Sequence, residues 1–298
     1  MTFGSFGSPW SCYHAQIQEV PMVSVEDYRS DFENEWCPGC GNFGILEAMK
    51  EALVALGLEP HQVLVVSGIG QAAKTPHFLK CNAFHGLHGR ALPVATGAKL
   101  ANHALTVLVN SGDGDCYGEG GNHFMHAIRR NLDVTLIVHD NRIYGLTKGQ
   151  ASPTSDLGMP TRIQPRGTVS EGFNPLAVAL ALGAGFVARG FSGDKGHLAM
   201  LIAAGVRHKG FALIDVLQPC VSFNRIHTHG WYKQRVFDLA DEDHDTADWT
   251  AAMARSRQWG DRIPVGIFYQ ELKPTFIDRI GVLQKGPLID QAVVEFEQ

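Results

Sequence analysis

The segment Gly112-Asp113-Gly114, with Asp115 directly behind it, closes the apolar run Thr106–Asn110. Glycines at such a strand end permit a tight turn and close backbone approach to a ligand. A helix that follows turns its free N–H groups toward a phosphate, and a carboxylate is the hard oxygen donor that Mg²⁺ prefers. Asn141 closes the next apolar run, Val134–Asp140. If the two runs are neighbouring parallel strands, Asp113, the Asn141 amide oxygen and a backbone carbonyl near Ile143 meet around one cation, and that cation can bridge a diphosphate.

Three further groups carry chemistry. Cys37-Pro38-Gly39-Cys40 is a CxxC pair. By itself it leaves zinc, a redox disulfide and an iron–sulfur cluster open. Structural zinc needs four closely held ligands, and the chain has one CxxC only; the other cysteines, Cys12, Cys81, Cys116 and Cys220, are single and distant. No thioredoxin-sized pattern surrounds the pair, whereas a [4Fe–4S] cluster accepts cysteines scattered through a fold. The second group is "FHGLHGR", with His85, His88 and Arg90 bunched before a helical pattern, a set suited to an anionic ligand. The third is Lys74 in "GIGQAAKTPHF", a cation able to pair with a carboxylate.

These residues need a frame. The runs "QVLVVSGIG", "TVLVNSGDG", "VTLIVHDN" and "FALIDVLQPC" end in turn residues and have the continuous apolar character of buried parallel strands. Helical periodicity lies between them, over Gly44 to Leu56 and in "EGGNHFMHAIRR", "NPLAVALALGAG" and "GHLAMLIAAGVRHKG". Alternation of this kind predicts an α/β fold with a doubly wound, mostly parallel sheet, and ligands outside the C-terminal strand ends. One domain is expected over 1–298. Residues 1–30 read as an irregular N-terminal extension, and about 222–298 as a C-terminal arm and helical tail.

Bulk properties exclude other classes. A net charge of −5 argues against a nucleic-acid surface. No apolar run reaches the roughly 18 residues of a membrane helix. The first residues lack a charged-then-apolar signal pattern, so a cytoplasmic setting with reduced thiols is expected.

"GDGD.YG", "DN.IYGLTKGQ.SPTS", "WCPGCGNFGI" and "HGLHGRALPVATGAKLAN" together resemble the β subunit of 2-oxoacid:ferredoxin oxidoreductases, over about Trp36 to Tyr269. The resemblance implies a thiamine diphosphate-binding (pyrophosphate-module) fold, with Asp113, Asn141 and the Ile143 carbonyl on Mg²⁺ and Gly112, Gly114, Asp115, Gly145, Leu146, Thr147 and His85 at the cofactor. Lys74 is implied at the substrate carboxylate, His88 near the reacting centre and Leu146 beside the substrate side chain. The implied activity is oxidative decarboxylation of a 2-oxoacid: CO₂ leaves, the acyl group passes to coenzyme A, and electrons pass singly through a [4Fe–4S] cluster to ferredoxin. The path is reversible as carboxylation. 2-Oxoglutarate is slightly favoured over pyruvate as substrate.

The resemblance further implies an α subunit that supplies the catalytic Glu, in an α₂β₂ assembly, so that this chain alone is inactive. It implies cluster ligands at Cys37, Cys40 and Cys220. The fourth position departs from the pattern, because Gln71 stands where a cysteine is expected. Cys81 is the first candidate to replace it, then Cys12, then Cys116, and a ligand other than cysteine is also open. A non-redox thiamine diphosphate decarboxylase or synthase, and a zinc-stabilised binding module, are the rival readings.

Overall fold

The computed structural model describes residues 23–292. The strands are β1 (Val63–Ser67), β2 (Asn82–His85), β3 (Thr106–Gly112), β4 (Thr135–Asp140), β5 (Phe186–Phe191), β6 (Ala212–Leu217), β7 (Val236–Asp238) and β8 (Ile263–Gln270). The helices are α1 (Asn42–Ala55), α2 (Thr75–Phe78), α3 (Ala91–Ala101), α4 (Gly121–Arg130), α5 (Pro175–Ala181), α6 (Lys195–Arg207), α7 (His229–Lys233), α8 (Trp249–Ser256) and α9 (Gly281–Gln284).

One sheet runs β2-β1-β3-β4-β6-β5-β8-β7. The first six strands are parallel, and β8 joins β5 antiparallel. Side chains alternate across the sheet because successive Cβ atoms point to opposite faces. Val107, Val109, Leu136 and Val138 pack with Phe124, Ala127 and Ile128 of α4 and Leu176 of α5. Leu108, Ile137, Ile214 and Val216 pack on the other face with Ile45 and Met49 of α1 and Leu198 and Ile202 of α6. Each such side chain taken from water contributes about 1.5–3 kcal/mol, so the two layers hold the strand ends in register.

Helix α5 begins as its sequence dictates. Asn174 Oδ1 accepts from the Ala177 N–H, and Pro175 takes the first position, where no donor is needed. Helix α4 ends at Asn131 in the left-handed region, with φ at 51°.

Two expectations need correction. Residues 222–298 are not simply an arm and helical tail, since β7 and β8 within them extend the sheet. Pro264 and Gly266 inside β8 disguised it, because both residues are scarce in strand interiors. The N-terminal extension is described only from residue 23, and there it is ordered. Val25–Tyr28 forms a 3₁₀ turn, and the fully buried Tyr28 donates to the Leu58 carbonyl at 2.8 Å.

β1 pairs with β2 on one side and β3 on the other, so the chain winds outward from β1 and returns to β3. That reversal opens a crevice between the C-terminal ends of β1 and β3. The turns after them, Gly68–Gly70 and Gly112–Gly114, therefore face each other.

Candidate cofactor site

At the β3 end Asp113 is buried, and the chain continues as a π-helical turn over Gly114–Glu119, the kind of irregular helix often found at functional sites. Asp113 Oδ2 accepts from Ser152 Oγ at 2.5 Å and Thr154 Oγ1 at 2.6 Å. Thr154 Oγ1 also lies 2.8 Å from Oδ1 of the buried Asp140. Burial, with Asp140 adding its charge, pushes the Asp113 carboxyl up to about 7. Two carboxylates held this close in a dry pocket are costly without a cation. Asn141 Oδ1 accepts from the Ile143 N–H at 3.0 Å and keeps a free lone pair. This donor set fits a hard divalent cation.

Asp115 is not turned toward a ligand, as its place in the sequence suggested. Its carboxylate is saturated by Ser111 Oγ at 2.5 Å, the Gly89 N–H at 2.7 Å, the Ile69 N–H at 3.0 Å and His88 Nδ1 at 2.6 Å. It ties the turns after β1, β2 and β3 together, and a Cβ at Gly68 would collide with its carboxylate. A side chain at Gly114 would likewise strike the Tyr144 ring, so that turn must be glycine.

His88 lies at this centre, with Nε2 at 3.7 Å from Glu119 and its ring edge-on to Tyr144. His85 sits at the end of β2, where Nδ1 is 3.1 Å from His77 Nε2. Burial and then His77 lower its basicity below that of an ordinary histidine. Lys74 pairs with Glu35 at 3.5 Å near the surface. Leu146 and Thr147 are exposed on the Tyr144–Gln150 turn, where Thr147 Oγ1 bonds the Gln150 side chain. An open cleft of about 510 Å³ adjoins this turn and is lined by Tyr144, Gln150, Ser152, Ser155 and Phe173 among others.

The structure brings three cysteines together. Cys40 has Cys220 and Cys37 as electrostatic neighbours, and burial first, then these two, pushes its thiol up to about 11. Ser222 Oγ donates to Cys37 Sγ at 3.1 Å and Gln218 Nε2 to Cys40 Sγ at 3.4 Å. Donors to sulfur are the contacts that tune thiolate-held clusters. Among the described residues, however, no three His, Cys, Asp or Glu side chains already stand in metal-holding geometry. Cys220 Sγ also lies 3.9 Å from where a Gly145 Cβ would stand, so this corner abuts the turn after Asn141.

Cys81 does not join the trio. β2 runs parallel to β1, with Asn82 opposite Leu64, so Cys81 precedes the strand and lies at the opposite end of the sheet from the glycine turns. Its Sγ donates to the Asn82 carbonyl at 3.2 Å, and burial pushes its thiol up to about 12. Cys116 is a core residue beside Leu92 and Val109. Cys12 lies outside the described residues. Gln71 is tied to the pair through Trp36, whose Nε1 donates to the Gln71 carbonyl at 2.9 Å, and Gln71 Oε1 is buried without a partner.

Sequence reasoning missed Asp140, Ser152, Thr154, Arg142 and His227. "SPTS" stood in the resembling motif without a role, and Asp140 directly precedes Asn141. Within the segment expected as a C-terminal arm, Asn224 and His227 are buried, and Asn224 reaches the Asn141 turn.

A doubly wound sheet with paired glycine turns over a buried acidic pocket defines a thiamine diphosphate-binding module. Residues 61–216 match the family model described as "Thiamine pyrophosphate enzyme, C-terminal TPP binding domain". Residues 220–285 match a second model, for the C-terminal part of the pyruvate ferredoxin oxidoreductase beta chain. The chain belongs to the β subunits of 2-oxoacid:ferredoxin oxidoreductases. It is 49% identical over 286 residues to the 2-oxoacid:ferredoxin oxidoreductase subunit beta of Saccharolobus solfataricus, covering 89% of this chain and 92% of that one. It is 45% identical over 199 residues to the 2-oxoglutarate oxidoreductase subunit KorB of Mycobacterium tuberculosis, covering 67% of this chain and 53% of that one. Among solved structures it resembles a 2-oxoglutarate:ferredoxin oxidoreductase from Magnetococcus marinus with 2-oxoglutarate, coenzyme A and succinyl-CoA bound. The TM-score is 0.86 at 39% identity, over 90% of this chain and 92% of that one. The chain is thus a subunit of a multisubunit oxidoreductase. No helix among the described residues is long and apolar enough to cross a membrane.

Proposed function

We propose that this chain carries the diphosphate end of thiamine diphosphate, its Mg²⁺ and a [4Fe–4S] cluster, within a CoA-dependent enzyme that oxidatively decarboxylates 2-oxoglutarate and delivers electrons to ferredoxin. The observation that carries this reading is the nearness of Cys220 to Gly145, its Sγ 3.9 Å from where a Cβ there would stand. It sets the cysteine corner against the same turn that follows Asn141, so an electron acceptor would stand beside the electron source. The cofactor, when bound, supplies the carbanion chemistry that releases CO₂ from a 2-oxoacid.

The protein's part is to hold and orient. Asp113, Asn141 and the Ile143 carbonyl would grip the cation, with Ser152 and Thr154 fixing the Asp113 carboxylate. Gly112 and Gly114 let the diphosphate approach the backbone. His88, held by Asp115, would stand near the reacting end. Lys74 can exchange Glu35 for the substrate carboxylate, since an ion pair this near the surface is worth at most about 1 kcal/mol. Cys37, Cys40 and Cys220 would supply three thiolates. The fourth position falls to Cys12 or to a ligand that is not cysteine.

The preference for 2-oxoglutarate is supported by relatives named for that substrate, including the KorB proteins of Mycobacterium tuberculosis and Methanocaldococcus jannaschii. Partner α subunits in an α₂β₂ assembly complete the site. The test is steady-state viologen and ferredoxin reduction by the α–β complex with pyruvate, 2-oxobutyrate and 2-oxoglutarate, together with iron and thiamine analysis. The highest kcat/KM is expected for 2-oxoglutarate, in a CoA-dependent reaction. A complex without iron, or turnover independent of CoA, would overturn the reading, and a pyruvate preference would move the substrate assignment.

A further inference from the structure

Behind the Asn141 turn lies a ring of side chains that closes on itself. Asn224 Nδ2 donates to the Asn141 carbonyl at 3.0 Å and also lies 3.1 Å from His227 Nδ1. Its amide orientation is set independently, because Asn224 Oδ1 accepts from the Ile226 and His227 N–H groups. His227 Nδ1 is therefore an acceptor, and Nε2 carries the proton toward Asp156 Oδ2 at 2.9 Å. The other Asp156 oxygen accepts from Arg142 Nη1. Arg142 follows Asn141 in the chain, which closes the ring.

Arg142 would be a costly residue to keep here without a task. Only 7% of it is exposed. Its φ is 61°, in the left-handed region that a non-glycine residue holds only when its surroundings over-determine it. Those surroundings are evident. Its N–H donates to Asp140 Oδ1 at 3.2 Å, its carbonyl accepts from Ser155 Oγ at 2.6 Å, and its guanidinium lies 4.0 Å from the Trp259 ring centre. The same ring reaches the cysteine corner, because the Asn224 N–H donates to the Cys220 carbonyl at 3.2 Å.

We propose that Arg142 and His227 are positioning residues for the Asn141–Ile143 turn, holding it in the shape in which the Asn141 oxygen and the Ile143 carbonyl reach one divalent cation. The inference rests on the cation-site reading above. It follows from geometry: the Asn141 backbone is pinned from one side by Asn224 and from the other by Arg142, and His227–Asp156 joins the two pins. Groups that orient metal ligands in this way typically govern affinity about 10- to 100-fold.

The test uses Mn²⁺ as probe, titrated by EPR into the thiamine diphosphate-loaded α–β complex. Arg142→Met and His227→Leu are expected to raise the Mn²⁺ dissociation constant about 10- to 100-fold, while kcat at saturating metal and cofactor stays within about threefold. Arg142→Lys should recover part of the loss, because it keeps the charge without the planar stack. Arg142→Gly suits the left-handed backbone and removes the side chain alone, so it serves where Arg142→Met does not fold. It too should bind Mn²⁺ about tenfold or more weakly. Wild-type affinity in folded Arg142→Gly and His227→Leu complexes would overturn the proposal. Asn141→Ala separates the two readings: it should lose Mn²⁺ binding whatever Arg142 does, and wild-type affinity there would overturn the cation site itself.

Discussion

The diphosphate edge and the cysteine corner lie side by side, yet they are built in opposite ways. Around Asp113 and Asp115 both carboxylates have hydroxyl or N–H partners, most of them from other segments, and a side chain at Gly68 or Gly114 would collide with Asp115 or Tyr144. Around Cys37, Cys40 and Cys220 there are three neighbouring thiols, two weak donors to sulfur and no ready metal geometry among the described residues. The first region is shaped by the polypeptide alone. The second has its thiols near one another without a finished metal geometry, as is common where ligand binding and local folding are one event.

The largest way to break that comparison is Asp113→Ala. Removing a buried carboxylate that pairs with the cation anchoring the diphosphate costs several kcal/mol of cofactor binding, so 2-oxoacid-dependent viologen reduction at subsaturating cofactor should fall about a thousandfold. Equilibrium dialysis should show thiamine diphosphate bound weakly even with excess Mg²⁺. Near-normal turnover would mean that the acidic pocket does not hold the cation.

Next is Cys220→Ser. Iron analysis and reduced-state EPR of the anaerobic complex should show the cluster lost or altered and electron delivery to ferredoxin abolished. Thiamine diphosphate should still bind, because the edge does not depend on the corner. Loss of cofactor binding together with the iron would show the two regions to be one cooperative unit.

Asp115→Ala should act on stability. It strands the Gly89 and Ile69 N–H donors in a buried turn, at a cost of about 1–3 kcal/mol per unsatisfied group. Thermal denaturation should therefore show a lower Tm, and the KM for cofactor should rise as the three turns loosen. An unchanged Tm would mean that these turns are held by packing alone.

The smallest effect belongs to Cys81→Ser. Stability should change by about 1 kcal/mol or less, the usual net worth of a single weak hydrogen bond. The iron content and EPR spectrum should match the wild type. An altered spectrum would return Cys81 to the cluster and require movement across the sheet.

The alternating apolar runs made the parallel sheet legible, because buried parallel strands leave long uninterrupted apolar stretches between turn residues. β2, β5, β7 and β8 escaped. β2 and β7 are only four and three residues long, Arg189 interrupts β5, and Pro264 and Gly266 interrupt β8. That Asp113 and Asn141 follow neighbouring strands could be read as well, since β3 and β4 pair in parallel and their ends share an edge. Cys81 was misplaced for a related reason. Nearness to Gln71 in the chain suggested nearness in space, but β2 carries Cys81 to the far end of the sheet.

The amino-acid order alone was enough to indicate the fold class and to mark the glycine turns and the CxxC pair, because strand-like apolar runs, glycines and paired cysteines are read directly from residue type and spacing. The identity of Asp115 as the tie between three turns, the distance of Cys81 from the other cysteines, and the ring through Arg142 and His227 came only with the folded chain. All three depend on which segments far apart in sequence become neighbours, and that is decided by strand order and by the packing of two helical layers rather than by any local pattern.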